Sequence, residues 1–203
     1  MKKIILNLSI AVFLFVLVGC ASTYQPIIPS SVYYTNAETK DSLTFSYKYD
    51  VFKSTGNNKY AKHEDEAGIK VVSVSITNNT GKTINMAENI AFFAGSRQIV
   101  PLDPLLVKEQ LKQGVGVYLL YLLLTPMQLT SSNGSSSSSV PIGLVIGPGI
   151  TIGNMAVAAS ANADFFAELN ANYVFRNIEN GQTKYALLGF RDIGFESLKI
   201  KLK

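Results

Sequence analysis

The chain has 203 residues, 47% of them hydrophobic and 16% charged, with a formal net charge of +4. That length suits one domain of ordinary size or a domain carrying a large insertion. Two of the positive charges, Lys2 and Lys3, sit at the extreme N-terminus, so the apparent basicity gives no reason to expect nucleic acid as a partner.

Met1-Lys2-Lys3 opens a positive segment, and Ile4 to Val16 is an apolar run broken only by Asn7 and Ser9. Small residues then precede a cysteine. This is the layout of an export signal over residues 1–19, too short and wrongly flanked for a permanent membrane span. Leu17-Val18-Gly19-Cys20 resembles the lipobox of bacterial lipoproteins. The resemblance implies cleavage between Gly19 and Cys20, diacylglycerol on the Cys20 thiol and usually a third chain on the new amine. Cys20 is the chain's single cysteine, so no disulfide partner competes for it. Ala21 follows, where an Asp would mark retention in the inner membrane of enteric Gram-negative bacteria. The expected location is therefore the bacterial cell envelope, at the outer membrane if the source is Gram-negative.

Residues 20–40, with Pro26 and Pro29, read as an extended tether. Over Asp41 to Phe52, Leu43, Phe45, Tyr47, Tyr49 and Val51 alternate with polar residues, the period of a half-buried strand. Ser54 to Gly68 reads as a polar loop. Ile69 to Thr77 is a second strand, its alternation broken at Val71-Val72, where a bulge is expected. Asn78-Asn79-Thr80-Gly81 marks a turn. A third strand follows through Ile84 and Met86, and Ile90 to Val100 forms a small hairpin about Gly95-Ser96. The run from Val71 through Asn79 to Ile84 resembles immunoglobulin-like sandwich domains of bacterial lipoproteins, which implies a fold and no activity.

Asp103-Pro104 signals a helix start, with Asp as N-cap and Pro in the first turn. From Gln113 to Ala163 there is no Asp, Glu, Lys, Arg or His. Two apolar arms, Val115 to Leu129 and Val140 to Ala161, flank a polar tip from Thr130 to Ser139. Amphipathic helix returns over Asn162 to Tyr173. Lys184 to Arg191 reads as a strand, and Leu198, Ile200 and Leu202 alternate with lysines, as suits an edge strand.

The uncharged hairpin admits three readings. As a spanning helix pair its first arm is short, and Pro148-Gly149 interrupts the second. As a membrane-inserting β-hairpin, the alternation of Ile142 to Gly153 is suitable but "YLLYLLL" is not. Gly143/Gly147 and Gly149/Gly153 also fit small-xxx-small helix packing. The remaining reading buries the arms against protein.

Catalytic signals are sparse. His63-Glu64-Asp65-Glu66 holds the single histidine, and as a sequential cluster it reads as solvated surface rather than a metal site. No Gly-x-Ser-x-Gly elbow is present. Gly147-Pro148-Gly149 lacks the Lys of a phosphate loop. Arg97 and Arg191 are isolated.

The expected architecture is mainly β: an immunoglobulin-like β-sandwich over 41–203, interrupted by a helical, apolar hairpin insertion over 103–175, α+β overall. The expected function is a non-enzymatic envelope lipoprotein without cofactor or metal, anchored to membrane lipid by acylated Cys20. Gln113 to Ala163 supplies a second membrane or subunit contact. The alternatives are an oligomeric envelope channel or secretion-complex subunit, and an apolar-ligand-binding lipoprotein.

Overall fold

The computed structural model describes residues 20–133, 136–172 and 177–203. The expected signal segment, including Leu17-Val18-Gly19, lies outside the described residues, as do Gly134 and Ser135 of the polar tip and Tyr173 at the end of the expected last helix. By its internal contacts the chain divides into two units. A sheet unit comprises Tyr24–Lys112 with Asn162–Lys203, and an apolar unit comprises Met1–Thr23 with Gln113–Ala161.

The sheet unit opens with a 3-10 turn at Pro29–Ser31, then β1 (Asn36–Lys40) and β2 (Leu43–Lys48). Two helices follow, α1 (Val51–Ser54) and α2 (Asn58–Ala67), and then β3 (Ile69–Asn78). Next come β4 (Ile84–Asn85), α3 (Met86–Asn89), β5 (Ile90–Ala94), β6 (Arg97–Ile99) and α4 (Pro104–Leu111). The chain closes with β9 (Asn177–Ile178), β10 (Thr183–Arg191) and β11 (Leu198–Leu202). Helix outweighs strand over the described chain, so the fold is α+β with small antiparallel sheets rather than mainly β.

A four-stranded antiparallel sheet runs β1-β2-β3-β10, and a three-stranded one runs β11-β5-β6. Alternation decides which side chains meet. Leu43, Phe45 and Tyr47 of β2 share a face with Val72, Val74 and Ile76 of β3 and with Ala186, Leu188 and Phe190 of β10. Ile90, Phe92, Ile99, Leu198 and Ile200 of the second sheet complete this core. Phe92 joins the two sheets, with ring centroids 6.2 Å from Phe45 and 5.7 Å from Phe190. β11 is an edge strand, and its Lys199 and Lys201 are exposed.

The other face of the four-stranded sheet is also covered. Val71, Ser73 and Ser75 are buried there, which is why Val71-Val72 breaks the alternation; the β3–β10 register passes it without a bulge. Helices α1, α2 and α4 pack on this side. Tyr24, Phe52, Tyr60 and Phe165 form an aromatic cluster, closest between Tyr60 and Phe165 at 4.9 Å. Gly189 of β10 is what lets α4 approach, because a Cβ there would fall on the Val107 side chain.

Several segments differ from expectation for identifiable reasons. The stretch expected as a tether is packed: Tyr24 and Ile27 are buried, and Asn36 to Lys40 pair with β2. Asn57 holds it by accepting from the Gln25 amide and donating to the Gln25 carbonyl, at 2.8 and 2.7 Å. The Glu168 carboxylate accepts from the Ile27 amide at 2.8 Å and from the Tyr24 hydroxyl at 3.2 Å. The expected strand through Val51 and Phe52 stops at Lys48, because Asp50 adopts a left-handed conformation (φ 55°) and starts α1. The expected loop over Ser54 to Gly68 is mostly α2, ended by Gly68 at φ 63°. The expected third strand stops at Asn85, whose side chain accepts from the Ala87 and Glu88 amides and caps α3. The helix start at Asp103-Pro104 forms as the sequence predicts: Asp103 accepts from the Leu105 amide at 2.8 Å.

Candidate membrane-contact surface

The apolar unit contains a 3-10 helix at Val115–Leu124, strands β7 (Leu129–Asn133) and β8 (Ser136–Val140), and the first part of α5 (Gly143–Asn172). A ten-residue 3-10 helix is long for its type. Its three-residue repeat sorts the sequence Val115 to Leu124 into rows. Val115, Tyr118, Tyr121 and Leu124 form one row, turned inward, with Tyr118 buried and stacked on Tyr121 at 6.3 Å. Val117, Leu120 and Leu123 form a second and Leu119 and Leu122 a third, all exposed, Leu123 to 74%.

The helix arm repeats this. Leu144, Val145, Ile146 and Ile152 are exposed, Val145 to 78%. Met127, Leu129 and Val140, between the two helices, are exposed as well. With no charged residue from Gln113 to Ala163, this is a contiguous stretch of chain presenting large apolar side chains without charge. A surface of that kind marks a site of interaction with protein or membrane.

Glycines hold the two arms together. A Cβ at Gly143 would fall on the carbonyl oxygens of Leu124 and Thr125, and one at Gly147 would lie 2.9 Å from Thr125 Oγ1. The Gly143 amide donates to the Met127 carbonyl at 2.9 Å. Gly149 and Gly153 have nothing near the corresponding position. Of the two small-residue pairs, only Gly143/Gly147 is used for close packing. Residues 143–153, whose alternation also suited a strand, are helical. Pro148 lies inside the helix, and Thr151 Oγ1 donates back to the Gly147 carbonyl at 2.8 Å.

Cys20 is exposed, and the residues after it are fastened to both arms. The Ala21 amide donates to Asn154 Oδ1 at 2.6 Å. The Ser22 amide donates to Gln113 Oε1 at 3.2 Å, and Gln113 Nε2 donates to the Ser22 carbonyl at 2.7 Å. Gln113 is buried, so this two-way amide pair satisfies groups that would otherwise be costly to desolvate. The Tyr121 phenol is pushed upward in pKa by burial first and then by Cys20 and Tyr118.

Among the described residues, one helix, Gly143–Ala171, is long and apolar enough by length and composition to cross a membrane. The part within the apolar unit, up to Ala161, is roughly 28 Å at 1.5 Å per residue. The rest carries Asp164 and Glu168 and buries Phe165 and Leu169 in the sheet unit.

The acidic stretch of α2 does not converge on a point. His63 Nδ1 meets the Leu111 carbonyl at 2.8 Å, Glu64 Oε1 accepts from the Val71 amide, Asp65 pairs with Lys70, and Glu66 faces Lys62 at 3.6 Å. Successive helical residues point about 100° apart, so neighbours in sequence fan out. Among the described residues, a recess of about 160 Å³ lies in the sheet unit against Phe92 and Ile99 and another of about 400 Å³ against Glu168 and Tyr185; neither of these is lined by a residue of Gln113–Ala161. The chain matches no protein-family model, no curated protein and no solved structure.

Proposed function

We propose that the protein is a non-enzymatic lipoprotein of the bacterial cell envelope, in which acylated Cys20 and the apolar hairpin enter the same membrane as one attachment. In this reading the lipobox directs acylation, and the outer membrane is the location in a Gram-negative cell. The observation that carries it is the fastening of Ala21 and Ser22 to Asn154 and Gln113, which sets Cys20 among exposed, uncharged side chains of its own unit. The two or more acyl chains expected on Cys20 already give stable attachment. The hairpin adds to it, since transferring a Leu or Ile side chain out of water is worth roughly 1.5–3 kcal/mol. The sheet unit, two sheets about a common core with helices over the outer face of one, is the presented part. Its core supports the finer reading of an immunoglobulin-like sandwich.

Vesicle flotation of the unlipidated Cys20→Ser protein tests this. It should float with phospholipid vesicles, and Leu120→Asp with Leu123→Asp should abolish flotation while leaving the fold intact. A Cys20→Ser protein that stays wholly in the aqueous fraction defeats the reading.

A further inference from the structure

β2 stops while its neighbour β3 runs on. Extending the register from Lys48↔Ser73 by two residues would set Asp50 opposite Val71. Asp50 instead turns left-handed (φ 55°), and its carbonyl accepts from the Ser54 amide at 2.9 Å. The Val71 amide, left without a strand partner, donates to Glu64 Oε1 from α2. Glu64 is 1% exposed, and its second oxygen, Oε2, is buried with no hydrogen-bond partner. Asp50 Oδ1 is buried and lacks a hydrogen-bond partner as well, with Lys53 Nζ 3.5 Å away. An unpaired carboxylate oxygen as deeply buried as Glu64 Oε2 is expensive, and protonation relieves it.

The surrounding charges come from each neighbouring element. Asp50 precedes α1, and Lys53 within α1 also lies 3.9 Å from Asp65. Asp65 of α2 pairs with Lys70 of β3. His63 is turned instead toward the Leu111 carbonyl. Burial pushes the Glu64 carboxyl up to about 7; the Val71 amide and Lys70 oppose this, and Asp50 and Asp65 add to it.

We propose that Glu64 is a proton-operated latch between α2 and β3. Protonated, it fills the gap left by β2 and holds α2 on the sheet. Deprotonated, it leaves a buried negative charge beside Asp50, and α2 loosens. The device is independent of membrane attachment. Because the folded state binds a proton that the unfolded state has released, stability falls as pH rises from about 4.5 to about 7 and is level above that. Across that window the equilibrium for opening α2 rises by up to about tenfold per pH unit.

The test is hydrogen exchange of the full mature protein in detergent micelles at pH 5 to 8, corrected for the intrinsic pH dependence of exchange. Amides of Tyr60 to Ala67 should lose protection in a single proton-linked step. Glu64→Gln, which keeps an acceptor for Val71 and cannot ionise, should abolish the step. Asp50→Asn, which removes the neighbouring charge, should move its midpoint to lower pH. Flat protection in the wild type, or a step that survives in Glu64→Gln, overturns the proposal. Should Glu64→Gln not fold, an unmoved midpoint in Asp50→Asn overturns it equally.

Discussion

The Ala21 amide donates to Asn154 Oδ1 at 2.6 Å, joining the residue after Cys20 to a helix residue far along the chain. Asn154 Nδ2 in turn donates to the Ile150 carbonyl at 2.9 Å, which fixes the orientation of the amide. Together with the Gln113–Ser22 pair, this makes the chain next to Cys20 part of the apolar unit and not the end of a loose leash. A bond of this kind contributes about 1 kcal/mol net. Asn154→Leu should therefore speed hydrogen exchange at Ala21 roughly fivefold, and the double variant with Gln113→Leu more, with the melting of the sheet unit unchanged. Exchange mass spectrometry of the N-terminal peptide reads this.

The four glycines of α5 should separate cleanly under substitution. Gly143→Ala forces a methyl into the Leu124 and Thr125 carbonyls and should cost about 1–3 kcal/mol. Gly149→Ala and Gly153→Ala meet open space in a helix and should stabilise it by about 0.5–1 kcal/mol each. Thermal unfolding of the hairpin, followed by circular dichroism in micelles, distinguishes the two classes.

Phe165 is fully buried and touches Tyr24, Phe52 and Tyr60. Phe165→Ala should destabilise the sheet unit by about 3–5 kcal/mol in a urea titration.

Glu168 carries a second pH dependence. Burial raises its pKa, and the hydrogen bonds from the Ile27 amide and the Tyr24 hydroxyl act against that. The folded state then holds the proton to higher pH than the unfolded one. Stability linked to this group is present at low pH and declines as pH rises through the folded value. Glu168→Gln should flatten the slope of stability against pH just above the ordinary glutamate range, measured by denaturant midpoints at a series of pH values.

The sequence showed most clearly those elements whose neighbours differ on the two faces. Leu43, Phe45 and Tyr47 alternate because one face of β2 meets the core, and Asp103-Pro104 announces α4 through local hydrogen-bond chemistry. Helix α2 was hidden because its buried residues are Tyr60, Ala61 and Glu64, so a polar side chain occupies the position where an apolar stripe would continue. The packed N-terminal segment was hidden too, since Asn57 and Glu168, which hold it, are distant in sequence. The 3-10 helix did leave a trace, the three-residue spacing of Tyr118 and Tyr121 within an otherwise uniform run of leucines. Uniformity also concealed the exposed face of the hairpin, because composition does not say which of many similar leucines turn outward.

The proposed attachment requires the exposed face of the hairpin to enter lipid. Its most direct test is a single environment-sensitive fluorophore on Leu123→Cys in the Cys20→Ser protein, mixed with vesicles carrying a quencher on the acyl chain. The emission should be blue-shifted and extinguished by the lipid-borne quencher, with a label at exposed Tyr33→Cys of the sheet unit unaffected. Emission from position 123 that stays water-like in the presence of vesicles, or shifts only with protein concentration, would contradict it.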